Sequence, residues 1–508
     1  MSETTPSYDT IVVGAGSAGS VITRRLVDAG QRVLLLEAGG DDLNPAIHDV
    51  GRLGELWHST DDWDYYTIPQ VHAADRRLHL PRGKVVGGSH ALNATIYVRG
   101  HASDYDAWAD AGCEGWSWAD VLPVFKAIED YDGGASEVRG KGGPLDVVGG
   151  YPLAPIQSSI LEAARQSGVP FNPDYNSGEL DGVSQQQITV RDGRRLTTYT
   201  AYVRPVIGSA DLDVVTGAHV HRLLVEGGRV VGLEYETGGE VVRQHAGRVV
   251  LSAGAIGSPR ILLLSGIGPA AELEAVGVRP VLDLPGVGKN LHDHFLSPVI
   301  FTTTRREIDP PTGGSSITQT HLFARSRPGL EVPDTQPIHF SVPMYEPWMR
   351  GPATGFSLMA GLVRPESRGE LRLSGPSPDD EVLIDPAALS EATDLDALVF
   401  SVRQCREIGA AAALAAEWGA QELYPGPGVR TDEELRDYVR RTVITYHHQV
   451  GTCRMGVDDR AVVDPQLAVR GIEGLHVADA SVMPRITSGN TNAPSVLIGE
   501  KAAAHLVR

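Results

Sequence analysis

The segment Asp9-Thr10-Ile11-Val12-Val13-Gly14-Ala15-Gly16-Ser17-Ala18-Gly19 limits what this chain can fold into more than any other. Tyr8–Val13 is a short β-rich run. Ser20–Ala29 has helical spacing, with Val21, Ile22, Leu26 and Val27 on one face, and Gln31–Glu37 is a second apolar strand. Strand, glycine turn, helix and strand make a βαβ start. In such a unit Gly14, Gly16 and Gly19 let the backbone turn tightly and approach a pyrophosphate at a helix N-terminus. Unpaired N–H groups and the positive end of the helix dipole stabilise its charge there. Glu37 ends the second strand, where a carboxylate accepts hydrogen bonds from adenosine ribose hydroxyls. An acid there argues against a 2′-phosphate, so the pattern points to FAD or NAD.

A chain of 508 residues is too long for one simple core, and two domains are expected. The net charge of −20 is spread along the chain, and such a surface repels phosphate backbones and anionic lipid. Neither nucleic acid nor a membrane is expected as a partner. Cys113, Cys405 and Cys453 are too scattered for a disulfide framework or a zinc ribbon. Met1–Tyr8 is short and polar with no apolar segment, and no run approaches a membrane span. The expected location is cytoplasmic.

Strand patterns recur at Leu212–Thr216, Val220–Val225, Val230–Tyr235 and Arg248–Ser252, read as a small antiparallel excursion ending on a buried strand. From about Leu78 to Gly100 the chain is glycine-rich and is expected to run extended. Tyr131–Pro144 and Arg305–Thr318 read as mobile loops. Thr431-Asp432-Glu433-Glu434 has the form of a capping box, starting a helix over Asp432–Arg441. A final helix is expected over about Ala493–Leu506, with Pro494 tolerated in its first turn.

Three further stretches separate the two cofactors. They are Arg82-Gly83-Lys84-Val85-Val86-Gly87-Gly88-Ser89-His90-Ala91-Leu92-Asn93, the run Gly254–Gly268, and Leu475–Ser481 with Gly489–Pro494. Together with the first glycine turn and Tyr446-His447-His448-Gln449-Val450-Gly451-Thr452-Cys453-Arg454-Met455-Gly456, they resemble the glucose–methanol–choline (GMC) family of FAD-dependent oxidoreductases over about Tyr8 to Leu506. The resemblance implies an α/β (α+β) chain with a Rossmann-like FAD-binding domain and a discontinuous substrate-binding domain on an antiparallel sheet. The motif order assigns residues 1–152, 205–295 and 441–508 to the first, and 153–204 and 296–440 to the second. Implied cofactor contacts are Gly14, Gly16, Ser17, Ala18, Gly19, Glu37 and Ala38, then Arg82, Gly87, Gly88, Ser89, Asn93 and Ala94. Ala253 belongs near the adenine and Asp479 and Ala480 by the ribityl–phosphate region, with Val220, Asn490 and Thr491 as further cofactor contacts. Some members attach FAD through a histidine directly before the residue matching Asn93. Leu92 stands there, so FAD is expected to be held non-covalently, with His90 as the other place for a link.

In this family the catalytic histidine precedes the Gly-Thr-Cys-x-Met-Gly turn by three residues, which selects His448 over His447. An alcohol hardly ionises at neutral pH, and hydride leaves its carbon readily only as the O–H proton departs. A neutral imidazole within hydrogen-bond reach takes that proton. The competing readings are a core histidine and half of a metal pair with His447. Adjacent side chains on an extended segment diverge, and no Cys/His/Asp cluster completes a metal site, so no metal is expected. Asn490 is the implied partner that holds the substrate oxygen, with Asn492 as the better cap for the last helix. His292 and His294 read as structural, and the aromatics of Met344–Trp348 as part of the variable substrate region. The implied reaction oxidises a small-molecule alcohol to an aldehyde or ketone, with electrons passing to oxygen or another acceptor. The alternative on the same fold is a lyase of the hydroxynitrile type. The alcohol, the acceptor and the oligomeric state stay open.

Overall fold

The computed structural model describes residues 8–309 and 316–507. Thr10–Val13 and Val33–Leu36 are fully buried apolar strands, as expected when helices cover both faces of a parallel sheet. They lie at the centre of a five-stranded parallel sheet in the order Leu212–Val215, Val33–Leu36, Thr10–Val13, Arg248–Leu251, Leu475–Val477. The first helix, Ser17–Asp28, begins at Gly16 and packs against the last helix, Asn492–Leu506. Widely separated segments thus close a single core, which holds most of the buried apolar side chains of the sheet and both helices.

A second, antiparallel sheet runs Gln421–Tyr424, Phe295–Thr302, Phe356–Leu362, Ile338–Phe340, Thr318–Phe323, Gly182–Gln185, with Ile444–Thr445 added beside Phe295–Thr302. Ala392–Ala410 and Pro155–Gln166 pack on this sheet. Val299, Phe301, Leu358 and Ala360 join Leu398, Val402 and Ile160 in the core between them. Side chains alternate along a strand, so positions 338, 340 and 359 point to the opposite face.

Several boundaries differ from expectation. Leu212–Val215 belongs to the parallel sheet, and the antiparallel excursion is His219–Glu226, Arg229–Thr237 and Glu240–His245. Tyr199–Val203, counted with the substrate part, packs on the first helix and buries Tyr199, Tyr202 and Val203 in the core of the parallel sheet. Gly369–Leu373 and Val382–Asp385, counted likewise, pair with Lys289–Leu291 and bury Leu371, Leu373, Val382 and Ile384 in that same core. An apolar alternation says that one face is buried but not against what.

The Tyr131–Pro144 loop is pinned rather than free. Buried Arg139 within it meets Glu129 at 2.9 Å and Asp174 at 2.8 Å, and Glu129 also meets Arg99 at 2.7 Å. Of Arg305–Thr318, residues 310–315 lie outside those described. The capping box at Thr431 forms as expected, and its helix extends to Thr442. Leu78–Gly100 is extended only in part, since Gly88–Ala91 forms a turn of 3-10 helix. Among the described residues, no helix is long and apolar enough to cross a membrane.

Candidate active site

The glycine turns at the start of the chain and at 83–89 meet in space. Gly14 has φ +98°, and a Cβ there would come within 2.5 Å of the Ser252 carbonyl oxygen. A Cβ on Gly88 (φ +53°) would stand 2.8 Å from the Gly16 Cα. Gly16 offers no side-chain cap to the helix after it, so the first-turn N–H groups of Ser17 and Ala18 remain for an anion. Glu37 accepts from the Ala15 and Gly39 amides, each at 2.9 Å. Burial lifts its carboxyl to about 7, although the Gly39 and Ala15 hydrogen bonds pull the other way. A diphosphate over the helix end and a ribose diol on Glu37 suit these groups.

One continuous cavity runs from this turn to the second sheet. Gly14, Gly16, Ser17, Ala18, Glu37 and Ala38 line it, and so do Arg82, Gly88, Ser89, Asn93 and Ala94. Val220 and Ala253 border it, as do Asp479, Ala480, Asn490 and Thr491. Two expected contacts are absent from the lining. Gly19 faces inward, where its Cβ would fall 2.0 Å from the Gly14 carbonyl oxygen, so its role is to bring helix and turn together. Gly87 (φ +92°) is the left-handed residue that starts the short 3-10 turn. Asp479 lines the cavity with its carboxylate held by Gly254 N at 2.9 Å, Ser258 Oγ at 2.5 Å and Ser481 N at 2.8 Å. Asn492 does not cap the last helix; its amide donates to Ser17 Oγ at 2.8 Å, tying the last helix to the first.

His448 and Asn490 meet at the far end of the cavity, where Asn490 Nδ2 lies 3.3 Å from His448 Nε2. Asn490 Oδ1 accepts from Gln336 Nε2 at 3.1 Å, which fixes the amide orientation. The other His448 nitrogen, Nδ1, is 3.0 Å from Nδ1 of His294. With its oxygen engaged by Gln336, the Asn490 amide turns an N–H toward His448 Nε2, which accepts. His294 Nδ1 then accepts, His448 carries its proton on Nδ1, and His448 Nε2 presents a lone pair to Asn490 and the cavity. The His448 backbone N–H donates to buried Asp293 at 2.8 Å, and Gln449 also holds that carboxylate. Burial drives His448 well below the ordinary imidazole range, and His294, His447 and Arg82 lower it further.

His447 takes a left-handed backbone (φ +65°), so the segment is not simply extended. Its ring bonds Thr445 Oγ1 at 2.9 Å and packs edge-on against Trp57 at 5.0 Å, while its carbonyl accepts from Arg82 at 2.5 Å. The two neighbouring rings have different partners and make no shared ligand pair. A separate group does form: His58 Nδ1 and His79 Nε2 lie 2.7 and 2.9 Å from Asp64 Oδ1. Residues spread over positions 58–79 carry no metal spacing, so the sequence concealed this cluster.

Of Met344–Trp348, only Met344 lines the cavity; Glu346 pairs with Arg76 at 2.6 Å, and Trp348 is exposed beside Tyr424. His294, Gln336 and Asp293 are the site residues that sequence reasoning missed or read as structural. The only signal was the His292–His294 pair itself.

Residues 8–296 and 365–499 match the N-terminal and C-terminal parts of the GMC oxidoreductase family. The chain belongs to the GMC oxidoreductase family. It is 37% identical to the alcohol dehydrogenase [acceptor] of Pseudomonas putida, covering 99% of this chain and 96% of that one. It is 38% identical to the oxygen-dependent choline dehydrogenase of Brucella melitensis biotype 1, covering 98% and 95%. Pyridoxine 4-oxidase from Mesorbium loti superposes with a TM-score of 0.94 at 37% identity, covering 98% of this chain and 99% of that one. An Aspergillus oryzae formate oxidase, solved in work on its FAD modification, superposes at 0.91 with 26% identity, covering 99% and 98%. The GMC fold and the cavity residues agree on FAD as the cofactor, and the chain is an oxidoreductase acting on the CH–OH group of donors.

Proposed function

We propose that His448 Nε2 takes the hydroxyl proton of an alcohol whose oxygen is held by Asn490 Nδ2. The observation that carries this is the 3.3 Å approach of these two atoms at the cavity end. A hydroxyl entering between them accepts from the Asn490 amide and donates to His448. As the proton arrives at Nε2, the Nδ1–H stays bonded to His294 and the backbone N–H to Asp293, so the ring does not turn. Gln336 keeps the Asn490 oxygen away from the hydroxyl. FAD, when bound, supplies the hydride acceptor at N5 and passes the electrons to oxygen or another acceptor.

FAD is held without a covalent link in this reading. Leu92 stands where some members carry the linking histidine. Both His90 nitrogens are already engaged, with Thr189 at 3.0 Å and Thr198 N at 3.3 Å, and the ring is buried away from the cavity. Acid precipitation of the holoenzyme is expected to release the yellow colour into the supernatant; colour retained in the pellet would contradict it.

The base is tested by anaerobic flavin reduction. His448→Ala is expected to slow it by about two to four orders of magnitude, the range for loss of a general base, with FAD content kept. His447→Ala serves as control and should cost far less. If His447→Ala abolished reduction while His448→Ala left it intact, the two roles would be exchanged.

A further inference from the structure

The cavity wall that faces His448 and Asn490 is apolar and carries no acid. Ile338 pairs directly with Met359 across two strands of the second sheet, and Phe340 lies two positions along on the same face. Leu296 on the next strand, Ile96 and Met344 pack with them in one cluster that also contains Tyr446. All of these side chains line the cavity. Tyr446 stacks on the His448 ring at 4.6 Å, which places the cluster beside the base.

Among the described residues, the cavity's carboxylates are Glu37 and Asp479. Both are committed on the nucleotide side, Glu37 to the Ala15 and Gly39 amides and Asp479 to Gly254, Ser258 and Ser481. Two nearby acids lie outside the lining: Glu346 is turned onto Arg76, and Asp293 is held by the His448 backbone N–H and the Gln449 amide. Arg82, a cation, also lines the cavity, with its guanidinium on the His447 carbonyl.

Two classes of alcohol are therefore disfavoured. A quaternary ammonium would enter without meeting a counter-charge, and the two aromatic rings of this wall, Phe340 and Tyr446, are too few to enclose it in a cage. A polyol would bury several hydroxyls against Ile, Leu, Met and Phe, and the Tyr446 hydroxyl can pair at most one or two of them. The geometry points to a neutral alcohol whose carbinol carbon bears an apolar substituent, aliphatic or aromatic. The wall discriminates against choline-like and sugar substrates even though choline dehydrogenases are among the chain's relatives. This inference rests on the alcohol-oxidising reading of the same cavity.

The decisive probes are choline and 3,3-dimethylbutan-1-ol, its neutral carbon isostere, which differ in charge at nearly constant shape. With the holoenzyme, anaerobic flavin reduction should show a kcat/KM at least about 100-fold higher for the neutral alcohol. Glucose should give no detectable reduction. Calorimetric binding to the His448→Ala holoenzyme should rank the two isosteres in the same order without any turnover. Met359→Glu should narrow the ratio by at least about tenfold through improved choline binding, while Met359→Gln should not. Equal or better use of choline by the unaltered enzyme overturns the inference, as does a Met359→Gln effect equal to that of Met359→Glu. If neither alcohol reduces the flavin, the alcohol-oxidising reading fails, and the calorimetric order alone decides the wall. Tighter neutral binding upholds it; tighter choline binding, or no heat from either, overturns it.

Discussion

At the scale of single residues, the proposed chemistry depends on which nitrogen of His448 holds a proton. In the proposed reaction only an Nε2 lone pair can receive the hydroxyl proton beside Asn490, and His294 accepts the Nδ1 proton of that tautomer on the far side of the ring. His294 acts through His448 and is a positioning residue. Its removal should lower flavin reduction by about tenfold, less than loss of the base itself. It should also move the acid limb of the pH profile upward, because His294 is one of the neighbours that depress His448. A residue with a merely packing role would leave that limb where it was. Asn490→Ala should fall between the His448 and His447 variants in stopped-flow reduction, since it removes one donor and leaves the base. Both residues were legible from the Gly451 turn and the Gly489–Pro494 run. His294 was not, because a histidine in a Gly-Lys-Asn-Leu turn says nothing about a partner 154 positions away.

Among the elements, the first helix is the one whose placement decides whether the cofactor binds. It starts without a side-chain cap and lies against the turn it follows, with Gly19 at the point of contact. Gly19→Ala puts a methyl group where the Gly14 carbonyl oxygen already stands, 2.0 Å away, and backbone has no rotamer with which to yield. The helix must move off the turn. FAD content, read from the flavin absorbance of the purified protein, is expected to fall sharply. Thr431→Ala provides the contrast. It removes the capping box of the Asp432–Thr442 helix, costs about 1 kcal/mol in denaturation, and leaves FAD bound. The start of this helix was legible because its cause, the capping box, is local. The cap of the last helix was misread because Asn492 found a better partner in Ser17, from the opposite end of the chain.

For the whole molecule, burial of ionisable groups sets the response to pH. His90, His294, His321 and His339 are fully enclosed, and burial depresses each to about 3 from an ordinary 6.5. Their folded values lie below the unfolded one, so the unfolded chain binds more protons between about 6.5 and 3. Stability is present above 6.5 and is lost as pH falls through that window. Glu37 and Asp293 work in the opposite sense, since burial raises both to about 7 and the folded chain gains protons first as pH falls. His219, His292, His447, His448 and His476 are depressed as well, and Glu346, Asp394 and Asp479 are raised, so nine histidines against five acids make the net effect a loss. Denaturant unfolding of the protein should show lower stability at pH 5 than at pH 7.5, and a flat or rising profile over that range would contradict this balance.

What the sequence by itself determined is what neighbouring residues can enforce. Gly14 and Gly19 permit a close turn that a Cβ at either position would block, apolar runs on either side make strands and helix, and Glu37 follows at the end of the second strand. Such constraints act over a few bonds and are written where they act. The tertiary structure decided everything that depends on chain path. It brought Gln336 to Asn490 and His294 to His448, and it assigned Gly369–Leu373 to the parallel-sheet core rather than to the second sheet. It also turned Glu346 onto Arg76, leaving the alcohol end of the cavity without an acid. An apolar residue needs only a dry neighbour, and many folds supply one. Which neighbour it meets, and hence which alcohol the cavity accepts, emerges only when distant segments pack together.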